Sequence, residues 1–416
     1  MRIDVLTARN APAVGRDLTL LKQVPESVTV HRAWTLDLPF ALRKALKKIV
    51  SGRSAKAVAG SQLNSSTSHG ATSGGRQNPL KRLVGDLLLP DPQVGWLPFA
   101  FPAACRIIRK RKIDLVLITV PPFSTVGLVS KLRHQFPALP IVLDFRDEWL
   151  TTTINLVSFN KNERARSVAR QWEADAVRDA TAVVAVTEAA RREIASRYPT
   201  EHESKFQCIP NGYDTRAIAV STSEETSAGS GEKTVLTYIG TVYGSTDPGT
   251  LIAAVKGLPD AIRARLLLRF IGHIETPAYR EALLSLGEMV ELKGFVPQAE
   301  ALRAIESTDY LLLVTHDRVN VAAKLYDYLG GGKPIVGAIH PDGDVRLLLE
   351  ETRTGWWASV DDVASIRQML IEAVERKPKL AEIFHPDQER VAAYHRRPLA
   401  QRYAALLRRI TETTAS

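Results

Sequence analysis

Residues 320–337 read NVAAKLYDYLGGGKPIVG, and this stretch decides how the second half of the chain is interpreted. Lys324 and Asp327 stand three residues apart near the start of a short predicted helix, Ala322–Leu329, which leads through a run of glycines to Pro334. A lysine beside the free N–H groups of a helix N-terminus suits a diphosphate, and a carboxylate suits ribose hydroxyls. The alternative is a surface salt bridge between positions i and i+3, which contributes only about 0.2–0.5 kcal/mol. The glycine run favours the functional interpretation, because it is an entropically costly way to end a helix.

Apolar strand patterns alternate with helical patterns on both sides of this stretch. Continuous Val, Ile and Leu runs between helices indicate parallel strands that helices cover on both faces. The sequence therefore predicts an α/β protein with two doubly wound, Rossmann-like domains that face a central cleft. The predicted strands are Ile113–Val120, Pro140–Phe145, Ala182–Val186, Phe206–Ile209, Thr234–Ile239, Leu266–Ile271, Val290–Lys293, Tyr310–Val314 and Pro334–Val336. The predicted helices are Ser124–Gln135, Ser167–Asp179, Thr187–Tyr198, Thr250–Lys256, Tyr279–Gly287, Gln298–Ser307, Ala322–Leu329, Val345–Glu350 and Val363–Glu375.

Two polar segments divide the chain. Residues 61–78 are rich in Ser, Gly, Thr and Asn and cannot bury enough apolar surface to offset the entropy of ordering, which predicts a mobile loop over about residues 54–79. Ser221–Lys233 has the composition of an interdomain linker. The expected division is a first domain over 1–220, a second over 234–395 and a C-terminal segment over 396–416.

The bulk composition is that of a folded protein. The chain has 416 residues, of which 45% are hydrophobic and 24% charged, and this length suits two to three domains. Cys105 and Cys208 are its only cysteines, and their spacing indicates neither a metal site nor a disulfide framework. The N-terminal MRIDVLT lacks the apolar region of a signal peptide, and no run of about 20 apolar residues occurs. We therefore expect a cytoplasmic protein, or one that is peripheral at the cytoplasmic face of a membrane.

The formal net charge of +10 is unevenly distributed. Within residues 41–53, Arg43, Lys44, Lys47 and Lys48 fall on one side of a predicted helix. Such a basic amphipathic helix can bind an anionic membrane surface, and it can equally be a solvated helix face, so both interpretations stay open. The chain carries no recognisable nucleic-acid motif and few aromatic residues among its cations, so nucleic acid is not an expected partner.

A second candidate phosphate site follows the strand Thr234–Ile239. The chain continues as Gly240-Thr241-Val242-Tyr243-Gly244 and then enters a helix. A glycine turn at this point exposes backbone N–H groups to a phosphate. Any tight strand-to-helix connection can use the same turn, so the motif alone decides little.

Taken together, these motifs resemble the retaining glycosyltransferase family 4, which has the GT-B fold. In that family a carboxylate stands seven residues before the proline of a Gly-x-Pro turn, as Asp327 stands before Pro334. The resemblance extends over about residues 80–412. Its further motifs, in chain order, are PDPQVGW at 90–96, DFRDEW at 144–149, AVVAVTE at 182–188, IPNGYD at 209–214 and GFVP at 294–297.

The resemblance implies a donor-binding second domain. Gly240 and Thr241 would approach the donor phosphates, and Val296 would offer backbone contacts to the base. Its glycine turn and cations would bind a nucleotide-sugar as substrate. The resemblance further implies that the first domain receives the acceptor and that the final helix, within 396–416, crosses back to that domain.

The helix at 322–329 completes the donor site that the resemblance implies. Lys324 and the Leu325 amide would hold the diphosphate, and Asp327 would bind the ribose. No metal ion or other cofactor is expected, because cations and helix N-termini can neutralise the leaving diphosphate.

The chain departs from the family pattern in two places. The paired acids of the family lie eight residues apart, and the earlier position here is Val319. The arginine that usually follows the Gly240 turn is also missing, and Arg318 and Lys324 are candidates to compensate. At the N-terminus, residues 2–7 resemble the second strand of the family, so the first strand–helix unit is expected to be missing.

Candidates for the acceptor side follow strands of the first domain. They are Thr119, Ser124, Arg146 and Asp147. The alternative for Ser124 is the N-cap of a helix, and for Arg146 with Asp147 a structural ion pair. Asp317 lies near the donor loop with no assigned role. No catalytic residue is identified, because retaining enzymes of this type lack an obvious protein nucleophile.

The sequence thus supports three functional hypotheses. The preferred one is a retaining, hexosyltransferase-like glycosyltransferase that acts on a glycan or lipid-linked acceptor in envelope or surface polysaccharide or glycolipid synthesis. The second is a catalytically weak or inactive GT-B protein that binds a nucleotide-sugar or serves as a partner subunit. The third is a nucleotide-sugar epimerase, for which acids and histidines cannot be assigned.

Overall fold

A computed structural model describes most of the chain. The residues it describes are 2–11, 21, 24–36, 89–151, 163–214 and 233–415. The predicted basic helix at 41–53, the predicted loop at 54–79 and nearly all of the predicted linker at 221–233 lie outside the described residues. Cys105 and Cys208 are both free thiols.

The chain folds into two compact units. The first is formed by Met1–Ile113, Pro122–Pro137 and Val157–Ala176, and the second by Asp114–Pro121, Ala138–Leu156 and Val177–Ser416. In the first unit, strands β1 (Ile3–Ala8) and β2 (Val28–Ala33) pair in parallel. The second unit contains the two larger sheets.

The smaller of these sheets has four parallel strands in the order β3-β4-β5-β6. Its central strands are almost wholly buried and apolar, which is the pattern expected of a sheet covered on both faces. The strands are β3 (Val116–Val120), β4 (Ile141–Phe145), β5 (Ala182–Ala185) and β6 (Phe206–Cys208).

The larger sheet has six parallel strands in the order β9-β8-β7-β10-β11-β12. In a sheet of this order the strand order reverses between β7 and β10. Ligands bind beyond the carboxyl ends of the strands at such a point. The strands are β7 (Thr234–Ile239), β8 (Leu266–Ile271), β9 (Val290–Gly294), β10 (Tyr310–Thr315), β11 (Ile335–Ile339) and β12 (Gly355–Ser359).

Helices connect and cover the strands. Those of eight or more residues in the described parts are α1 (Leu97–Arg111), α2 (Gly127–Gln135), α3 (Glu163–Asp179), α4 (Glu188–Arg197), α5 (Gly249–Lys256), α6 (Pro277–Leu284), α7 (Gln298–Glu306), α8 (Ala323–Gly331), α9 (Asp344–Thr352), α10 (Val363–Arg376) and α11 (Arg396–Ala415). Short helices lie at Asp260–Arg263, Leu380–Ile383 and Gln388–Ala392. Single 3-10 turns lie at Pro92–Trp96, Phe123–Val126, Glu203–Lys205, Gly244–Thr246, Gly287–Met289 and Lys377–Lys379.

The predicted elements are mostly present, with corrections. The prediction that Ser124 caps a helix is wrong: Ser124 lies inside the 3-10 turn Phe123–Val126, and Pro122 occupies the cap position. The backbone N–H of Ser124 donates to the Asp91 carboxylate at 2.7 Å, so a side chain from a distant segment caps this turn. Helix α1 and strand β12 were not predicted.

A tyrosine hydroxyl connects the two central strands of the larger sheet. Strands β7 and β10 are paired only at Leu236 and Thr237. Beyond those pairs, the Ile239 N–H donates to the Tyr328 hydroxyl at 2.8 Å, and this hydroxyl donates to the Leu312 carbonyl at 3.2 Å. The hydroxyl therefore satisfies one backbone donor and one backbone acceptor where the strands part.

The glycine run at the end of α8 has separate packing and backbone causes. Gly331 is still helical, and a Cβ there would lie 2.5 Å from Ile305 Cγ2, so only glycine lets α7 approach so closely. Gly332 ends the helix in the left-handed conformation with φ of 64°. The run is therefore a packing contact followed by a C-cap.

Helix α11 packs against the four-stranded sheet. Leu406 and Ile410 are buried in one apolar cluster with Val142 of β4 and Val184 of β5. The Tyr403 hydroxyl donates to the Asp144 carboxylate at 2.7 Å, so a polar contact at the end of β4 adds to this packing.

We predict that Tyr328→Phe lowers the free energy of unfolding of the larger sheet by about 1–3 kcal/mol, because it leaves the buried Ile239 N–H without an acceptor. Urea unfolding monitored by fluorescence measures the change. Tyr326→Phe is the matched control, because Tyr326 is buried on the same helix and its hydroxyl makes no hydrogen bond to the described residues. Equal destabilisation by the two variants would contradict the role of the Tyr328 hydroxyl.

Candidate functional site

Two glycines shape the loops that follow β7 and β8. Gly240 has φ of 129° and Gly272 has φ of 132°, conformations that side chains with a Cβ rarely adopt. A Cβ on Gly272 would overlap the Gly240 carbonyl, so the two loops touch through their backbones. Hydrogen bonds from Gly240 N–H to Ile271 O and from Val242 N–H to His273 O, each of 2.8 Å, hold them together.

Lys324 lies beside this glycine turn. A Cβ on Gly240 would lie 3.4 Å from Lys324 Cδ and 3.7 Å from Nζ. The ammonium also lies 3.7 Å from the centroid of the Tyr238 ring. Tyr328, one helical turn after Lys324, fixes α8 to the strands, and this determines where the lysine is held. The structure thus brings Lys324 of the stretch 320–337 next to Gly240 of the second candidate phosphate site.

The Lys324 side chain has no acidic partner in the described residues, and no ion pair joins it to Asp327, so the salt-bridge alternative is wrong. Burial lowers the pKa of Lys324 to about 7. A half-buried cation without a counterion is the arrangement that an anionic ligand stabilises.

Asp327 lies three residues further along the same side of α8. Its carboxylate is half-buried and makes no hydrogen bond to the described residues. Burial raises the pKa of Asp327, and the positive charge of Arg396 opposes this effect. The carboxylate is available to accept hydrogen bonds from a ligand hydroxyl.

Other predicted donor-side residues lie in different environments. Thr241 is exposed, and its carbonyl accepts the Tyr238 hydroxyl at 2.8 Å. The Leu325 N–H already donates to the Ala322 carbonyl at 2.9 Å, so the expectation of a free Leu325 amide is wrong, because the first turn of α8 uses it. Arg318 points away from the lysine toward Glu193, with 3.9 Å between Nη2 and Oε2.

Val296 follows the end of β9. Gly294 has φ of 71° and its carbonyl accepts the Gly272 N–H at 2.7 Å, which connects this loop to the other two. Phe295 comes next with 70% of its side chain exposed, and Val296 is half-buried. The three loops after β7, β8 and β9 therefore form one continuous backbone edge.

On the acceptor side, Arg146 and Thr119 both bind Asp144. The Arg146 guanidinium lies 2.5 Å from Asp144 Oδ1, and the Thr119 hydroxyl donates to Asp144 Oδ2 at 2.5 Å. Arg146 also donates to the Asn211 side chain at 3.1 Å and to the Tyr403 hydroxyl at 2.5 Å. The predicted ion pair between Arg146 and Asp147 is wrong, because the Arg146 guanidinium pairs with Asp144 instead.

Asp147, the remaining candidate on the predicted acceptor side, lies in a different environment. It is half-buried, and its carboxyl makes no hydrogen bond or ion pair with the described part of the chain. Burial and then the charge of Asp317 raise the pKa of Asp147 to about 6, while Arg146 opposes the shift. The sequence did not indicate this proximity of Asp147 and Asp317, since they lie far apart in the chain.

Sequence reasoning also missed the aromatic residues of the site. Tyr238 and Tyr328 position Lys324, and Tyr243 lies near the charges of Asp147 and Asp317. Their only signal was proximity in sequence to the two glycine motifs.

Neither a metal-ligand cluster nor a membrane-spanning helix occurs in the described residues. No three His, Cys, Asp or Glu side chains converge there as potential metal ligands. No described helix combines the length and apolar character that a membrane span needs.

Comparison with known proteins identifies a family match. Residues 66–217 match the model of Glycosyltransferase Family 4, as the motifs in the first half predicted. The donor-side stretch at 320–337 lies outside that match. No curated protein matches the sequence of the chain.

Solved structures share the fold at low sequence identity. The structure of Anabaena HepE in complex with UDP aligns with a TM-score of 0.60 and 16% identity, covering 98% of this chain and 99% of that one. Sucrose-phosphate synthase from Thermosynechococcus elongatus aligns with a TM-score of 0.62 and 14% identity, covering 77% and 79%. A UDP-forming α,α-trehalose-phosphate synthase from Burkholderia xenovorans aligns with a TM-score of 0.55 and 10% identity, covering 80% of each chain. The predicted GT-B fold is confirmed.

We predict that Lys324 reacts with a small acylating reagent with a midpoint near pH 7, well below the value of about 10.4 for an ordinary lysine. Above its pKa the amine is neutral and nucleophilic, so the labelling rate should rise through that pH. Peptide mass spectrometry quantifies the label at Lys324 and, as an internal control, at Lys333. A Lys324 profile that coincides with the Lys333 profile would contradict the unpaired state of the ammonium.

Proposed function

We propose that this chain is a glycosyltransferase that transfers a sugar from a nucleoside diphosphate sugar to an acceptor with retention of configuration. The match of residues 66–217 to Glycosyltransferase Family 4 and the GT-B fold support this proposal. The single observation that carries the donor part of this proposal is Lys324, an unpaired cation between Gly240 and the Tyr238 ring at the reversal point of the sheet. Glycine turns and cations at such a point suit a diphosphate.

Relatives with the same fold support a nucleotide-sugar donor. Structures of Anabaena HepE contain UDP, UDP with glucose, and UDP-glucose. We extend this donor class to the present chain because Gly240, Gly272 and Gly294 form a continuous edge along which an elongated nucleotide can lie. Two strand spacings separate β7 from β9, roughly 10 Å, so the phosphates and the base would contact different strands. In this arrangement Val296 contacts the base and Asp327 the ribose.

Lys324 would supply the main electrostatic contribution to the reaction. Departure of the nucleoside diphosphate concentrates negative charge on its terminal phosphate, and a nearby ammonium stabilises that charge. The lysine, with its pKa of about 7 in the free protein, would be held protonated by the bound diphosphate. No metal ion is needed in this scheme, because the protein supplies the neutralising charge.

The acceptor is proposed to be a glycan or a lipid-linked glycan in envelope or surface polysaccharide synthesis. The basic residues within 41–53 support a peripheral position at the cytoplasmic face of a membrane, since clustered lysines and arginines attract anionic lipid. Asp147 is the acceptor-side candidate whose carboxyl has no hydrogen bond to the described residues, whereas Arg146 and Thr119 bind Asp144.

One observation favours the second hypothesis, a nucleotide-sugar-binding protein with little catalysis. Val319 occupies the position of the family's first acidic residue, and its side chain is only 4% exposed. A buried valine cannot contact a sugar hydroxyl as a carboxylate would. Donor binding without turnover is the result that this hypothesis expects.

Binding and turnover separate the two hypotheses. We predict that the wild type binds UDP or another nucleoside diphosphate in calorimetry, and that it hydrolyses or transfers the sugar of one member of a nucleotide-sugar panel to a membrane extract. Binding to the panel without hydrolysis or transfer would support the catalytically weak protein. Failure to bind any nucleotide would overturn both.

Lys324→Met should weaken nucleoside diphosphate binding by about 10- to 100-fold, the usual loss for a hydrogen bond to a charged group. Lys333→Met is the matched control, because Lys333 follows the opposite end of α8, and it should bind normally. A Lys324→Met variant that keeps wild-type affinity would contradict the proposed diphosphate site.

A further inference from the structure

The position of the missing family glutamate does not point to a ligand. Val319 is buried, and its carbonyl accepts the Thr187 hydroxyl at 2.8 Å. This contact fixes the loop after β10 to the end of β5. A carboxylate that contacts the transferred sugar must therefore come from another residue.

Asp317 provides a carboxylate two residues earlier, directly after β10. Its Oδ1 accepts the N–H groups of Val319 and Asn320, each at 2.9 Å. These bonds hold the carboxylate in one orientation. Asp317 is half-buried at the strand edge where Gly240 and Lys324 lie.

Asn320 connects this loop to the loop that carries Asp147. Its side-chain oxygen accepts the Glu148 N–H at 2.7 Å, and its amide nitrogen donates to Asp317 Oδ2 at 3.3 Å. A single amide thus holds the residue next to Asp147 and the Asp317 carboxylate together. The two acids follow different strands, Asp147 the strand β4 and Asp317 the strand β10.

Tyr243 reaches the same region from the loop after β7, three residues beyond Gly240. Burial raises the pKa of its hydroxyl, and the charges of Asp147 and Asp317 raise it further. The loop that carries Tyr243 therefore runs from the glycine turn beside Lys324 to the two acids. A sugar attached to a diphosphate at Lys324 would have these groups as its neighbours if it extended along this loop.

We propose that Asp147 and Asp317 bind hydroxyl groups of the transferred sugar and take the place of the acid that Val319 does not supply. This inference rests on the proposed function. Two facing carboxylates repel each other, and sugar hydroxyls that donate one hydrogen bond to each would relieve that repulsion. Lys324 is a second, independent indication of the ligand. Its ammonium has no acidic partner in the described residues and could bind a phosphate at the other end of the same donor.

Comparing a nucleotide with and without its sugar tests this assignment. Asp147→Asn and Asp317→Asn should each weaken UDP-glucose binding by about tenfold or more and change UDP binding less than twofold. Asp342→Asn, which alters an exposed acid in the loop after β11, should change neither. If UDP-glucose proves not to be a donor, the same comparison uses the panel member that is turned over and its nucleoside diphosphate.

The pH dependence of UDP-glucose affinity is a second measurement, and a purely structural role of Asp147 would not change it. Hydroxyls that donate to Asp147 favour its ionised form, so UDP-glucose affinity should fall as pH drops through about 6. The groups that face Asp147 are Asp317, Tyr243 and Arg146. Asp317→Asn should shift the midpoint to lower pH, because it removes a negative charge, and Asp147→Asn should abolish it.

Equal loss of UDP and UDP-glucose binding in the two variants, or no loss of either, would overturn the inference and leave the proposed function intact. A wild type that binds no nucleotide or nucleotide-sugar would overturn the proposed function and this inference together.

Discussion

The hydroxyl of Tyr328 holds open the centre of the larger sheet. Strands β7 and β10 part after a short stretch of pairing, and strands that part without compensation would leave buried backbone groups unsatisfied. The Tyr328 hydroxyl accepts the Ile239 N–H and donates to the Leu312 carbonyl, so it satisfies one backbone group on each strand. It also fixes helix α8, so that Lys324, one turn earlier, lies against the Gly240 turn. The separation of the strands and the position of the cation thus have one cause.

A comparable polar cluster organises the end of β4. Asp144 accepts hydrogen bonds from Arg146, Thr119 and Tyr403, and therefore joins two strands to the long C-terminal helix. Arg146 is engaged in this cluster, whereas the carboxyl of the next residue, Asp147, makes no hydrogen bond or ion pair with the described residues.

The sequence predicted what depends on local pattern. Strands β7 and β8 have the predicted bounds, because their apolar runs end at glycines, and the pairing of a lysine helix with a glycine turn was also expected. Helix α1 was missed because it contains Pro102, which obscures its pattern. The sequence could not predict that the Leu325 amide donates within its own helix. It also could not predict that Arg146 pairs with Asp144 and not with Asp147. Hydrogen-bond partners depend on geometry that residue spacing does not specify. The neighbourhood of Asp147 and Asp317 arises only when β4 and β10 end near each other.

The contact between Gly240 and Gly272 also limits how this protein can evolve. A methyl group on Gly272 would overlap the Gly240 carbonyl, so a single substitution at Gly272 would force one of the two loops to shift. Phe295, at the other end of the same edge, is 70% exposed and bears no such constraint. The first two loops are therefore constrained by backbone contact, and the third loop can accept other side chains at Phe295.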